Sequence, residues 1–405
     1  MLTTFAVTVY KMNPLFRRFS DQLHDLDSQN LRRRLVPVRP LAKGLIEVDG
    51  RQHLNLSGND YLGLGSDAVL LDAFYAHLHN EDRLQCCAPG SGASRLLTGS
   101  RASCHQLEDS LAQLYGKDGA LLFNSGWQLN SGLLPALLRK GDLVLADKLC
   151  HASLIDGLRL SAAKVIRYPH LDYERLEELL RQHSSQSGMI FVVTESIFSM
   201  DGDCADLRLL AALRDNYGAV LYVDEAHAVG VRGERGLGLA EEQGVLAQID
   251  LLIGTFGKAW AGQGAFVVGS RMLCDFLINM ARSFIFTTAL PPVSIAWLNF
   301  ILPKIVAMRS ERQHLAKLAE QLRRRLHHLN ITTGGASQIV PVLLGEAAAA
   351  LAAAERLRSQ GWWVQAVRPP TVPPNTARLR LSLSAAMREE QLRSLADQLA
   401  AAVLS

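Results

Sequence analysis

Between residues 120 and 268 the chain repeats one arrangement: a short, wholly apolar run, then a longer stretch of mixed apolar and polar residues. The apolar runs are 120–123, 143–146, 189–193, 220–223, 251–253 and 265–268. Runs of this length are strands buried on both faces, and the longer segments suit amphipathic crossover helices. The fold class that follows is α/β, with a mainly parallel sheet covered by helices on both faces. Open sheets of this kind bind ligands beyond the carboxyl ends of their strands. Five of the runs are followed by chemically capable residues. These are Asn124-Ser125-Gly126-Trp127; Asp147 and His151; Thr194-Glu195-Ser196 with Ser199-Met200-Asp201-Gly202-Asp203; Asp224-Glu225-Ala226-His227; and a turn through Gly254 and Gly257 that delivers Lys258. One such loop is ordinary, but five in series converge on one edge of the sheet.

At 405 residues the chain exceeds one ordinary core. Its organisation reads as an N-terminal helix and hairpin segment (1–56), a large α/β domain (57–292) and a C-terminal α+β domain (293–405). In the first, residues 15–35 read as a polar helix ending in Arg32-Arg33-Arg34, either a solvated face or a guanidinium gate for an anionic substrate. Residues 45–56 alternate around Gly50 like a hairpin. The loop Gly90-Ser91-Gly92-Ala93-Ser94-Arg95, ahead of a helix at 105–114, has the glycines and hydroxyls to cradle a phosphate but is no ATP-type P-loop. Residues 294–328 read as one long connector helix, 346–360 as an Ala-rich helix, 362–367 as a strand and 388–403 as the last helix. Strict alternation over 377–383 puts Arg378 and Arg380 on one strand face.

Hydrophobic and charged contents of 48% and 20% are those of a globular protein, and a net charge of +3 is too small to imply nucleic acid or a charged membrane. No apolar run reaches spanning length. The segment Met1 to Tyr10 is a poor signal peptide; it is an extension, or Met12 is the start. Six cysteines without a C-x-x-C pair imply free thiols and a cytoplasmic setting. Without H-E-x-x-H or paired Cys/His spacing, no dedicated metal site is expected.

Lys258 lies just past a strand end, flanked by glycine, where core packing has no use for it. It is either a surface lysine or one placed to form a Schiff base with a carbonyl cofactor such as pyridoxal phosphate (PLP). Asp224 ends a strand that would bury it, so it needs a cation or several donors: a helix N-cap would serve, and so would a pyridinium. His227 lies near enough to address the same ligand. His151 can stack on a ring, or be a hydrogen-bonded structural histidine. Gly126 and Thr255 suit a phosphate. Arg380 is a candidate carboxylate clamp with Arg378 as its neighbour, unless both form surface ion pairs. A dinucleotide-binding dehydrogenase would need G-x-G-x-x-G after the first strand, which Asn124-Ser125-Gly126-Trp127 does not supply.

Four segments together resemble the α-oxoamine synthases: Asp224-Glu225-Ala226-His227, Thr255-Phe256-Gly257-Lys258, Thr194 through Asp203, and Gly90 through Arg95. The resemblance covers about residues 20 to 400, in order. It implies a fold-type I PLP-dependent transferase with a mainly parallel seven-stranded sheet, joining an amino acid to an acyl thioester with loss of carbon dioxide. Residues 368–373 and 376–383, and the N-terminal arginines, look most like the members that use L-alanine and a pimeloyl thioester, carried on CoA or on a carrier protein. The resemblance also assigns roles. Lys258 would carry PLP and move the α-proton; Asp224 would pair with the pyridinium; His151 would stack on the ring. His227 and Ser199 would address the ring's 3-oxygen, and Gly126, Trp127 and Thr255 the phosphate. Asn59 and Arg380 would hold the alanine carboxylate, Arg32 and Thr371 would contact the acyl substrate, and Glu195 would lie near the reacting centre. Members are homodimers with interface sites, so Thr287 or Thr288 would reach the partner's phosphate site. A member that uses glycine or serine and a different acyl thioester, and a non-catalytic PLP-binding subunit, are the rivals, the second disfavoured by the presence of Lys258. The sequence departs from the family pattern at Trp260 and Gln263, which are bulky, at Ala228-Val229, where a hydroxyl is lost, and at Met387, where histidine is common.

Overall fold

The computed structural model describes residues 13–79, 81–185 and 188–404; the Met1 to Tyr10 segment and Met12 lie outside them. A seven-stranded sheet forms the centre. Its strands are β1 (Gly119–Phe123), β2 (Leu143–Asp147), β3 (Lys164–Tyr168), β4 (Ile190–Glu195), β5 (Val220–Asp224), β6 (Leu251–Thr255) and β7 (Ala265–Gly269). Their order across the sheet is β1-β7-β6-β5-β4-β2-β3. Only β7 runs against its neighbours. Six of these strands are the apolar runs of the sequence. The seventh, β3, is an edge strand whose Lys164, Val165 and Arg167 are exposed, so it carries no apolar run to find.

The two-residue period of a strand sends alternate side chains to opposite faces. Leu221 and Val223 of β5, and Leu252 of β6, enter one core, which extends over the C-terminal segments. Tyr222 of β5, with Leu251 and Ile253 of β6, enters the other, under the helices Gly126–Leu137 and Ala152–Leu160. The same period therefore aims Asp224 and Thr255 at the face of those two helices. Gly254, between them, allows the opposite face to close: a Cβ there would lie 2.2 Å from the Phe266 ring.

The hairpin of the N-terminal segment forms as its alternation predicts. Leu45–Val48 pairs antiparallel with Arg51–Asn55. Asp49 and Gly50 both take positive φ (49° and 75°), as a two-residue turn of matching twist requires. Arg51–Asn55 also pairs with Trp362–Trp363, so the first and last thirds of the chain share a four-stranded sheet. A three-stranded sheet of Ile339–Gly345, Ala377–Ser382 and Ala366–Val367 completes the C-terminal part.

Three sequence expectations are corrected. The N-terminal helix is Pro14–Ser28, not 15–35; Asn30 turns left-handed (φ 56°) and the three arginines follow outside the helix. Residues 362–367 are not one strand but two short ones, given to different sheets. Residues 294–328 are not one helix but two, Pro292–Ala307 and Arg309–His328, bent by 69°. No single helix among the described residues is long and apolar enough to cross a membrane.

The bend has a local cause. Buried Arg312, in the second helix, folds back and donates to the last carbonyls of the first, at Ile305 O (2.6 Å) and Val306 O (3.0 Å), and also to Glu234 O. A guanidinium thus serves helix-terminal acceptors, of which Ile305 O also accepts from Met308 N (3.1 Å). Arg312→Ala is expected to destabilise the protein by about 2–3 kcal/mol by removing these bonds. Arg312→Lys should recover only part of this, since an ammonium lacks the planar fork. Urea midpoints of the three proteins check the prediction.

Candidate active site

The carboxyl ends of β1, β2, β4, β5 and β6 lie along one edge of the sheet and bring the sequence-predicted residues together there. At the centre is Asp224, buried at the end of β5. Its Oδ1 accepts from Ala226 N (2.9 Å) and its Oδ2 from Asn130 Nδ2 (2.8 Å). Asn130 comes from the helix Gly126–Leu137 and is itself oriented by the Tyr222 hydroxyl, which donates to its Oδ1 at 2.6 Å. Asn130 Nδ2 also donates to Ser153 Oγ (3.0 Å), and Ser153 Oγ lies 2.8 Å from His151 Nδ1. One line of hydrogen bonds thus joins His151 to Asp224 through Ser153 and Asn130. Sequence reasoning missed Asn130, although an amide inside so apolar a helix is a signal. It missed Ser153 as well.

Lys258 follows β6 in a turn closed by Ala261 N to Lys258 O (2.9 Å) and by left-handed Ala261 (φ 48°). Among the described residues no hydrogen bond or ion pair holds its ammonium. Burial pulls its pKa down to about 8, with Asp224 and Glu195 opposing the shift and Arg380 adding to it. Glu195, buried at the end of β4, accepts from His151 N at 2.5 Å. Burial and the Asp224 charge push its pKa well above the ordinary carboxylate value, against the pull of Lys258.

Gly126 and Thr255 meet across the site: a Cβ at Gly126 would lie 3.9 Å from Thr255 Cβ. The Thr255 hydroxyl donates to Gly264 O and accepts from Gly257 N. Gly126 opens its helix behind the Ser125 N-cap, so its backbone N–H stands at a helix N-terminus, a natural anion site. Trp127 is half-exposed, with its ring edge-on to His151 at 6.0 Å. His151 caps the helix Ala152–Leu160, and burial lowers its pKa, aided by Lys258.

A second group faces this one from the small sheet. Arg380 donates from Nε to Ser199 O (2.5 Å), from Nη1 to Ser382 Oγ (2.7 Å), and from Nη2 to Asn59 Oδ1 (3.3 Å) and the Tyr61 hydroxyl (3.4 Å). The Tyr61 hydroxyl also lies 2.7 Å from His227 Nδ1. Burial holds the His227 imidazole neutral, reinforced by Lys258 and Arg380. Tyr61, deeply buried, was missed despite lying two positions from Asn59. Arg378 shares the strand face but pairs with Asp201 instead.

Other candidates sit elsewhere. Arg32 pairs with Asp27 at 2.5 Å, and Thr371 Oγ1 accepts from Arg33 (2.8 Å), so the structure joins Thr371 to Arg33 rather than Arg32. Arg95 of the glycine-hydroxyl loop forks onto Glu108 (2.8 and 2.9 Å), and Ser91 bonds within its own chain, so that loop is braced by its own side chains. Thr287 Oγ1 accepts from Asn124 Nδ2 (3.2 Å), just ahead of Gly126. Trp260 is turned into the core against Phe256 (5.1 Å). Ala228, Val229 and Met387 are likewise core residues. Gln263 lines an apolar cavity of about 490 Å³ with Leu64, Phe74 and Trp297.

Glu225, quoted in the motif without a role, is a buried brace. It accepts from Ser196 Oγ (2.5 Å), Leu239 N (2.9 Å) and Ala240 N (2.7 Å), and burial raises its pKa to about 7.

The sequence and fold were compared with known proteins. The family described as aminotransferase class I and II matches residues 51–399. An 8-amino-7-oxononanoate synthase from Chlorobaculum parvum is 50% identical over 367 residues, covering 90% of this chain and 94% of the relative. A putative 8-amino-7-oxononanoate synthase from Pasteurella multocida is 46% identical, covering 92% and 96%. Among solved structures, a Sphingomonas wittichii serine palmitoyltransferase superposes with a TM-score of 0.85 at 30% identity, covering 98% of each chain. The 8-amino-7-oxononanoate synthase of Francisella tularensis superposes with a TM-score of 0.73 at 27% identity, covering 87% of this chain and 98% of that one. With half of its residues shared across nearly all its length, the chain belongs to the class I and II aminotransferase family, on the branch of the 8-amino-7-oxononanoate synthases.

Proposed function

We propose that this chain condenses L-alanine with a pimeloyl thioester, on CoA or a carrier protein, releasing carbon dioxide and forming 8-amino-7-oxononanoate with PLP as cofactor. The observation that carries the reading is the convergence of Asp224, a buried carboxylate without an ion-pair partner among the described residues, with Lys258, a half-buried amine in the same condition whose pKa burial lowers. A flat cation bearing an aldehyde satisfies both. The donor set fits PLP: an anion site at Gly126 and Thr255, a flat neutral imidazole at His151, and a carboxylate at Asp224.

The chemistry that bound PLP supplies is an electron sink for the amino acid's α-carbon. Asp224, oriented by Asn130 and Ala226 N, would keep the ring nitrogen protonated. Lys258 would hold the cofactor through its ε-nitrogen and, when displaced by substrate, carry the α-proton; a pKa near 8 suits both acceptance and return. Arg380 and Asn59 would orient the alanine carboxylate, since the guanidinium is already fixed by Ser199 O and Ser382 Oγ. Neutral His227, tied to Tyr61, would address the cofactor oxygen from the Arg380 side.

A second copy of the chain fits the N-terminal helix Pro14–Ser28, which buries none of its residues and exposes Leu15, Phe16, Phe19, Leu23 and Leu26 at helical spacing. A homodimer would cover that stripe, and sedimentation equilibrium should give twice the 44.4 kDa chain mass; a monomer would overturn this part. Free cysteines at all six positions suit a cytoplasmic enzyme.

The purified protein should show the visible band of lysine-bound PLP, shifting on addition of L-alanine, and Lys258→Ala should lack it. Asp224→Asn should still bind PLP but condense about 10²–10³-fold more slowly. A colourless protein indifferent to PLP would sink the enzyme reading. A response to serine or glycine without alanine would reassign the amino acid and keep the chemistry. Covalent uptake of PLP by the cofactor-free protein needs neutral Lys258. Its rate should therefore rise with pH through a midpoint near 8, well below an ordinary lysine. A midpoint above 10, an ordinary lysine's about 10.4, would contradict the buried-amine reading.

A further inference from the structure

We propose that His170 is a positioning residue for the amino-acid carboxylate site: by bridging Asp147 and Asp203 it fixes the turn against which Arg380 is anchored. The proposal rests on Arg380 holding the substrate carboxylate, as read above.

The geometry is specific. His170 follows β3 and lies outside the constellation so far described. Its Nδ1 is 2.9 Å from Asp147 Oδ1, and its Nε2 bonds Asp203. With a carboxylate on each nitrogen, both must donate, which requires the imidazolium. Asp147 ends β2, is fully buried, and also accepts from Leu149 N (2.8 Å) and Leu171 N (2.9 Å). It thereby holds the loop that leads to His151. Asp203 ends the turn that begins at Phe198, closed by Phe198 N to Asp203 O (3.0 Å) and Gly202 N to Phe198 O (2.9 Å). The His170 ring stands edge-on to Phe198 at 4.4 Å, so one residue grips both ends of this turn. Between those ends lie Ser199, whose carbonyl takes Arg380 Nε, and Asp201, which pairs with Arg378. Gly202 lets the turn press on the small sheet: a Cβ there would lie 2.3 Å from Ile339 O. The imidazolium therefore links the β2 loop to the seat of the arginine.

The two carboxylates raise the His170 pKa to about 9, although burial alone would lower it. The other titratable groups around Asp147 and Asp203 are Tyr168, Tyr173, Cys150, Cys204 and Glu195. Burial moves all five upward, and with Tyr173 at about 12 and Cys204 at about 11, His170 loses its proton before the tyrosines and the thiols as pH rises. Arg167, three positions before His170, donates to Lys148 O. Above about pH 9 the bridge would lose one donor and its charge, the turn would loosen, and Arg380 would lose its fixed seat.

The test compares wild type, Asp203→Asn, Asp203→Glu and His170→Gln as PLP-loaded proteins. Affinity for L-alanine, and for glycine as a second probe, is read from the visible spectrum between pH 7 and 10.5 without thioester. The free amino group of the probe titrates identically for every protein, so displacement between curves carries the result. Asp203→Asn is expected to weaken L-alanine binding about tenfold at pH 8 and to move the alkaline loss to lower pH, while kcat at saturating alanine changes less than about threefold. Asp203→Glu should restore most of the affinity. The His170→Gln curve should converge with wild type above about pH 10, where wild type has lost its imidazolium. The NMR titration of His170 should fall in Asp203→Asn. A fallen titration with an unmoved alanine curve overturns the proposal. If wild type binds no amino acid, the functional reading fails instead. The bridge is then judged in wild type by amide exchange over residues 198–203, where equal protection at pH 7 and at full His170 deprotonation overturns it.

Discussion

The structure depends on a carboxylate held in the interior with no cation of its own. Asp224 closes the central strand β5, with two hydrogen bonds and no ion pair among the described residues. Burying an uncompensated charge costs several kcal/mol, and an adjacent carboxylate, Glu195, makes the position worse. A fold seeking stability alone would place an apolar residue at this strand end. The surroundings are instead arranged to keep the charge. Tyr222, two positions back on the same strand face, orients Asn130, and Asn130 orients Asp224. Under the proposed function the offsetting cation belongs to the ligand that Lys258, just past the neighbouring strand β6, would tether.

Much of this was legible because it is local. A strand buried on both faces is an apolar run, and a residue just past its end belongs to the ligand edge of the sheet; Asp224, His227, Glu195, His151 and Lys258 all follow from that rule. The edge strand β3 was not legible, since Lys164 and Arg167 face solvent and break the run. The break after Ala307 was hidden for a different reason: it is made by Arg312 reaching back to backbone carbonyls, and such a contact has no periodicity. Trp260, bulky and two positions from Lys258 in sequence, is packed into the core because the turn aims it into the Phe256 and Phe266 cluster.

The supporting residues were the hardest to read. Asn130 and Tyr61 work by touching catalytic candidates that are distant in sequence, Tyr61 to His227 across 166 positions and Asn130 to Asp224 across 94, and Ser153 works by joining neighbouring His151 to Asn130. Strand end and composition locate a reactive group, but they carry no information about which neutral side chain will orient it. Thr371 illustrates the same limit, because a long basic run offers three arginines and the packing of the Arg368 loop selects Arg33 as its neighbour.

The two halves of the site differ in how their charge is secured. On the large-sheet side, Asp224 and Lys258 lack ion-pair partners among the described residues, and the Asp224 charge opposes the fall that burial imposes on the Lys258 pKa. On the small-sheet side, Arg380 is already fixed by backbone and neutral side chains, none of which cancels its charge. Both imidazoles between them, His151 and His227, are kept neutral by burial. An anionic substrate group would therefore find one fixed cation at Arg380, while Lys258, with its pKa near 8, can change charge at neutral pH. Under the proposed function, holding Arg380 fixed and leaving Lys258 free would separate carboxylate binding from proton transfer. The separation survives only while the turn from Phe198 to Asp203 keeps its position, because that turn supplies the shortest bond to Arg380 and belongs to neither sheet.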